Sequence, residues 1–335
     1  MKKFMYFWII PIFLSTFFFT SILHAKTIRL TYSNFFPPTH IQSKLAQSWC
    51  DEVKKRTNGA VIVEYYPAQT LTKAKQVYDG VVSGMSDLGL CLFGYTRGRF
   101  PLMEAVDLPL GYKSGMVATI VANAVYEKFN PKELDDVKVM YLHAHGPGLL
   151  YTKEKPVSTM DDLKGIKIRS HGTTAKVVKA LGGIPVTMPM PELYQSLQKG
   201  VVEGAIYPME VNKGWRMADV VKYGTFDYPI ANTSTFFVVM NKDKWAGLPA
   251  DIQSIITEIN KIWIVKHGEA WDTSDAEGEE FLISKGGKLI TLTEQEGKKW
   301  ETAIEPVIED FIQKSEEKGL PARAAVEFIK RFLGN

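Results

Sequence analysis

Short stretches of this 335-residue chain alternate apolar and polar positions with a period of two, and longer stretches carry the helical period. Thr27 to Tyr32 sets Ile28, Leu30 and Tyr32 on one face and predicts a first strand. Asn34-Phe35-Phe36-Pro37-Pro38 reads as the loop after it, and Thr39 with Gln42 three residues on reads as a capping box. The helix that follows places Ile41, Leu45, Trp49 and Val53 on one stripe and stops at Asn58-Gly59. Ala60 to Tyr66 predicts a second strand and Lys73 to Val82 a second helix. Asp87 to Phe93 is a nearly continuous apolar strand, as in a parallel sheet covered on both faces. Strand, helix, strand, helix, strand is an α/β order.

The pattern then repeats itself. Gly80-Val81-Val82-Ser83-Gly84 closes one helix ahead of the Asp87 strand. Gly200-Val201-Val202-Glu203-Gly204 closes another ahead of Ala205-Ile206-Tyr207, 120 residues later. Two lobes of similar build are expected. Val137 to Leu142 reads as a strand of the first, and His143 to Gly148 as a turn-rich crossover into the second. Thr235 to Asn241 reads as an apolar strand returning to the first. Pro249 to Ser284 is one long helical pattern with Ile252, Ile255, Ile256, Ile259, Trp263 and Trp271 apolar, and at about 1.5 Å per residue it reaches about 50 Å. It should span both lobes. A strand at Lys288 to Leu292 and helices at Glu294 to Lys318 and Ala322 to Leu333 follow. The expected division is 26–145 with 233–272 for the first lobe, and 146–232 with 273–335 for the second.

Met1 to Ala25 is expected to be a leader: Lys2 and Lys3 precede an apolar run to Leu23, and Ala25 offers a small residue for cleavage. An uncleaved membrane anchor is the alternative, because the run is long. Without Lys2 and Lys3, 38 basic residues face 37 acidic ones, a net charge of +1. That balance offers no nucleic-acid footprint. The roughly 310 remaining residues suit two domains. Cys50 and Cys91 lie in apolar contexts and are expected as buried free thiols, although an exported chain would permit their pairing.

One stretch carries candidate chemistry. In Met160-Asp161-Asp162-Leu163-Lys164-Gly165-Ile166-Lys167-Ile168-Arg169, a turn delivers the chain into a short strand. Ser170-His171-Gly172-Thr173-Thr174 then leads to a helix at Ala175 to Leu181. Arg169 therefore ends a strand where open α/β sheets bind ligands. A guanidinium offers a planar fork for a carboxylate, though an arginine at a strand end is also an ordinary solvated residue.

With these pieces placed, the chain resembles the solute receptors of TRAP transporters, the DctP-type family. The carriers are Thr57-Asn58-Gly59, Tyr78-Asp79-Gly80-Val81-Val82, Arg99-Phe100-Pro101-Leu102, Asp107-Leu108-Pro109, the run from Asp162 to Arg169, the run from Leu197 to Gly204, and Val221-Lys222-Tyr223. The resemblance implies an α/β periplasmic-binding-protein fold with a ligand cleft between two lobes and a long helix across both. It implies an extracytoplasmic, non-enzymatic receptor that delivers a small organic acid to membrane permease subunits, and it makes Arg169 the carboxylate-binding arginine. A monomer without cofactor is expected.

Several positions depart from the family's polar patterns. Tyr207 replaces an amide after the second helix exit, Leu92-Phe93-Gly94-Tyr95 replaces a charged loop, and Gly146-Pro147-Gly148 stands where a second arginine would help bind a polar acid. Phe35, Phe36, Phe93, Tyr95 and Tyr207 become candidate walls, with a core strand position the other reading of Phe93. Glu210 either accepts a hydrogen bond from a ligand or complements a helix dipole, and Trp215 either stacks on ligand or is core. His143 and His145 have a spacing that permits metal ligation, but no third ligand is apparent. These substitutions favour a monocarboxylate with an apolar or aromatic tail, with a C4-dicarboxylate as the alternative. An exported hydrolase is the rival class, but neither Gly-x-Ser-x-Gly nor His-Glu-x-x-His occurs.

Overall fold

The computed structural model describes residues 27–226 and 229–334. The expected leader lies outside the described residues. The chain runs β1 (Ile28–Asn34), α1 (Ile41–Arg56), β2 (Val61–Tyr66), α2 (Val77–Val82), β3 (Leu88–Leu92), α3 (Gly115–Phe129) and β4 (Val137–Ala144). It continues with β5 (Gly148–Thr152), β6 (Lys167–Ser170), α4 (Thr174–Ala180), β7 (Ile184–Thr187), α5 (Leu193–Gln198), β8 (Gly204–Pro208), α6 (Val211–Gly214) and β9 (Tyr223–Phe226). Last come β10 (Thr235–Asn241), α7 (Lys242–Ala246), α8 (Ala250–Ser284), β11 (Lys288–Thr291), α9 (Glu294–Glu316) and α10 (Ala322–Leu333).

Two sheets form two lobes. The first has the order β2-β1-β3-β10-β4, the second β11-β9-β5-β8-β6-β7. In each, one strand reached through a crossover runs against its neighbours: β10 is antiparallel to β3 and β4, and β5 is antiparallel to β8 and β9. The repeated five-residue helix exit leads to equivalent strands. β3 is parallel to β1 and antiparallel to β10, as β8 is parallel to β6 and antiparallel to β5. The two crossovers lie side by side, with Gly148 donating to the Asn232 carbonyl at 2.7 Å and Thr233 Oγ1 donating to the His145 carbonyl at 2.6 Å.

Helix α8 is 35 residues long and packs on α1, α3 and β4 of the first lobe and on α6 of the second. Gly278 permits the last contact, because a Cβ there would strike the Met209 carbonyl and the Glu210 backbone. α9 packs on α4, but α10 packs on α3, with Phe129 and Phe328 edge to face at 5.8 Å. The expected division puts all of 273–335 in the second lobe, and α10 makes contact with both. α10 buries Ala322, Ala325, Val326 and Ile329 as one stripe and packs on both α9 and α3.

Two local expectations also change. His40, not Thr39, caps α1: its ring Nδ1 accepts the Gln42 N–H at 3.2 Å while Thr39 is exposed. The buried face of α1 is Gln42, Ala46, Trp49, Cys50 and Val53, which leaves Ile41 exposed and Leu45 half-buried. Tertiary contact reverses the polarity there, since Gln42 Oε1 meets His267 Nδ1 of α8. α3, β5, β7 and β9 carry no periodic pattern strong enough to be read from sequence. Cys50 and Cys91 are buried free thiols.

Candidate functional site

Four strands that are parallel to a neighbour end at one place between the lobes. β1 delivers Phe35 and Phe36, β3 delivers Leu92 and Tyr95, β6 delivers Arg169 and His171, and β8 delivers Tyr207, Pro208 and Glu210. All of them line a single cavity. His145 from the first crossover, Phe236 from β10 and Trp271 from α8 complete much of the wall. The location at strand C-termini follows the general rule for open α/β sheets.

Arg169 is 2% exposed. Its Nε donates to the Met188 carbonyl at 3.0 Å, and its two terminal nitrogens make only long contacts of 3.5 Å, to the Ile206 carbonyl and to Tyr95 Oη. Every partner is a neutral oxygen, and among the described residues no carboxylate pairs with it. Burial pulls the guanidinium below its ordinary pKa, with Tyr95 and more weakly Glu192 acting the other way, yet arginine stays charged in proteins. A buried unpaired cation is expensive unless an anion joins it. Tyr95 fixes the fork: it accepts the Met190 N–H at 2.8 Å and burial pushes its hydroxyl up to about 12, so it stays a neutral donor.

Two neutral imidazoles accompany the arginine. Burial, then the Arg169 charge, holds His171 well below the usual histidine range, and its Nδ1 has no hydrogen-bond partner. His145 is pulled down to about 4, mainly by burial with Arg169 adding to it, while its Nδ1 donates to the Gly146 carbonyl at 2.6 Å. Neither supplies a second positive charge at neutral pH.

The rest of the wall is aromatic. Phe35 and Phe36 sit 4.3 Å apart, Phe236 stacks on Trp271 at 5.2 Å, and Phe36 bridges the two groups at 5.6 Å from Phe236. Tyr207 stacks on Tyr151 at 4.2 Å and donates to Asn212 Oδ1. Such walls favour flat apolar ligands.

Of the eight residues singled out from sequence, Arg169, Tyr207, Tyr95, Glu210, Phe36 and Phe35 line this cavity, while Phe93 and Trp215 do not. Phe93 is corrected to a core residue. β3 ends at Leu92 and tightens into a 3₁₀ turn, which sends Phe93 between Phe100 (4.7 Å) and Phe237 (5.3 Å). Trp215 stands behind the wall, stacked on Phe35 at 6.2 Å. His143 is also core: it stacks on His267 at 4.2 Å and accepts from Trp271 Nε1. No cluster of metal-ligating side chains occurs among the described residues. Phe236, Trp271, Met190 and Ile206 were missed, because nothing local separates them from core positions. His171 follows Arg169 by two residues in a loop, and that placement was the signal to notice.

A family model described as bacterial extracellular solute-binding protein, family 7, matches residues 32–315. The chain is 28% identical over 306 residues to the C4-dicarboxylate-binding periplasmic protein DctP of Rhodobacter capsulatus, covering 87% of this chain and 88% of that one. A TRAP solute-binding protein of Rhodoferax ferrireducens, solved with copurified benzoate, is 27% identical with a TM-score of 0.87, covering 92% of this chain and 98% of that one. A marine metagenome TRAP solute-binding protein specific for aromatic acids, solved with 3-hydroxybenzoate, is 28% identical with the same TM-score and coverage.

Proposed function

The chain belongs to family 7 of the bacterial extracellular solute-binding proteins, and from that premise we propose a TRAP-type receptor for a monocarboxylate with an aromatic tail. The observation that carries the reading is Arg169, a buried guanidinium without a carboxylate partner in a cavity walled by aromatic rings. A ligand carboxylate supplies the missing charge, and the rings take its apolar body. His171 and Tyr95 stand ready as neutral donors to the second carboxylate oxygen. Closure of the lobes excludes water, which strengthens the charge pair. The receptor then hands its solute to membrane permease subunits. The family consists of solute-binding proteins rather than enzymes, and no residue is assigned a catalytic role.

The relatives solved with benzoate and 3-hydroxybenzoate support the aromatic reading. The relative named for C4-dicarboxylates supports a different acid. A dicarboxylate needs a second cation, however, and the described cavity wall offers two neutral histidines and the Glu210 carboxylate instead. We place the mature protein in the periplasm as a monomer; among the described residues no helix is long and apolar enough to cross a membrane.

A thermal-shift panel tests the reading, with benzoate, phenylacetate and mandelate set against succinate and malate. Ligand at a hundredfold excess over Kd stabilises by about 2.7 kcal/mol, a readable rise in Tm. A panel in which only the C4-dicarboxylates raise Tm overturns it.

A further inference from the structure

Glu210 is the second ionisable side chain of opposite character in the cavity wall. It is 3% exposed, and it does not touch Arg169, whose contacts are all to neutral oxygens. One carboxylate oxygen, Oε2, accepts from His40 Nε2 at 3.0 Å, and that is the only side-chain hydrogen bond of the carboxylate among the described residues. The direction of the His40 bond is fixed. His40 Nδ1 already accepts the Gln42 N–H, which leaves the ring proton on Nε2 and aims it at Glu210.

The pair is held from several sides. Phe36 stacks on the His40 ring at 4.4 Å, and Trp271 lies edge-on at 6.2 Å. Gly214 makes room for it, since a Cβ there would lie 2.9 Å from the imidazole and 2.5 Å from Glu210 Oε2. The Glu210 backbone is fixed too, its N–H donating to Asp275 Oδ1 at 2.8 Å. Two facts distinguish this from an ordinary helix-end carboxylate. α6 has only four residues, too short for a dipole site, and Glu210 lies between the ligand cavity and a groove lined by His40 and Gly214.

We propose that Glu210 is a specificity residue that accepts a hydrogen bond from the ligand's tail, so that the preferred acid carries a hydroxyl or amino donor away from its carboxylate. The inference rests on the reading of an aromatic acid anchored at Arg169. The ligand's own carboxylate is repelled by Glu210 and attracted by Arg169, so the two ends of the cavity orient the molecule. An acceptor that a bound ligand seals from water without giving it a donor is costly. Sites built around such a group therefore reject analogues that lack the donor more strongly than apolar walls reject a change of size. His40 is a positioning residue: it holds the carboxylate rotamer without reaching the ligand.

Calorimetry with benzoate, 3-hydroxybenzoate, 4-hydroxybenzoate and 3-aminobenzoate tests this on wild type, Glu210→Gln and His40→Ala, with circular dichroism as the folding control. The expected result is that at least one hydroxy or amino acid binds wild type tenfold or more tighter than benzoate. In Glu210→Gln, which keeps the shape and loses the charge, that ratio should fall below about threefold, and His40→Ala should lower it as well. A wild-type ratio near one overturns the inference while leaving the functional reading intact. So does a Glu210→Gln protein that weakens all four acids by the same factor, since the pair would then merely latch the lobes. Failure of all four acids to bind wild type overturns the functional reading and this inference with it.

Discussion

Asp272 and Asp275, one turn apart on α8, accept backbone N–H bonds from opposite lobes. Asp272 takes Gly115 at 2.5 Å and Met116 at 3.2 Å where α3 begins, and Asp275 takes Glu210 at 2.8 Å just after β8. A single helical turn thus ties the first lobe's α3 to the second lobe's cavity wall. The two carboxylates differ in environment: burial raises Asp275 well above the usual carboxylate range, with Glu210 and Asp272 contributing.

Their replacement should separate stability from binding. Asp272→Ala removes a helix-capping acceptor and should cost about 1 kcal/mol in urea unfolding, with acid affinity little changed. Asp275→Ala frees the Glu210 turn and should raise Kd for the bound acid by about tenfold, while global stability holds or improves because a poorly solvated carboxyl is gone. Equal losses of affinity in the two variants would refute the division.

Arg169→Met should show the opposite trade. Losing one member of a buried ion pair costs on the order of 3–5 kcal/mol, so Kd for the acid should rise by roughly two to four orders of magnitude. Without ligand, the variant should be at least as stable as wild type, since an unpaired buried charge has been replaced by an apolar chain of similar length. Arg169→Lys should recover only part of the affinity, because an ammonium lacks the planar fork. Calorimetric Kd alongside Tm of the free protein decides it, and binding within fivefold of wild type would move the anchor elsewhere.

Phe93 and Tyr95 are two residues apart and should respond differently. Phe93→Ala empties a core site between Phe100 and Phe237 and should cost about 3–5 kcal/mol of stability. Tyr95→Phe removes the hydroxyl that joins Arg169 to the Met190 N–H. It should weaken acid binding about tenfold with little effect on Tm. A Tyr95→Phe protein with wild-type affinity would show that Tyr95 is wall only.

Protonation should expose the buried histidine of α8. Burial pulls His267 down to about 3, against about 6.5 when unfolded. The unfolded chain therefore binds the proton first, so this contribution is complete above about pH 6.5 and is lost as pH falls toward 3. Asp107 acts with the opposite sign: burial, opposed by bonds from Thr235, raises it to about 8. Its folded state holds a proton the unfolded state has lost, and stability declines as pH rises from about 4 to 8. His267→Gln should reduce the loss of unfolding free energy between pH 7 and 5 by about 1–2 kcal/mol, at about 1.4 kcal/mol per pH unit. Asp107→Asn should flatten the decline between pH 5 and 8. Urea unfolding at four pH values checks both, and unchanged slopes would contradict the assignments.

β1, with its period of two, and β10, a continuous apolar run, were legible because neighbours in sequence alone set their burial. The repeated helix exit at Gly80 and Gly200 likewise marked equivalent strands, β3 and β8, since a local turn precedes each. Arg169 at the end of β6 was legible too, because strand, turn and helix signals surround it within twenty residues.

What the tertiary structure decided is the environment that distant segments impose. Phe236 and Trp271 read as core, and they are cavity wall only because β10 inserts between β3 and β4 and α8 returns against α1 and α3 from far along the chain. The polar face of α1 became buried because His267 came to meet Gln42. His40 became part of the site when Glu210, 170 positions on, came to accept its ring N–H. The sequence determined most of the elements and the place of Arg169 at a strand end, since those follow from local sterics and periodicity. Which side chains share the cavity with Arg169 was set by packing two lobes against one helix, a condition that no stretch of chain carries by itself.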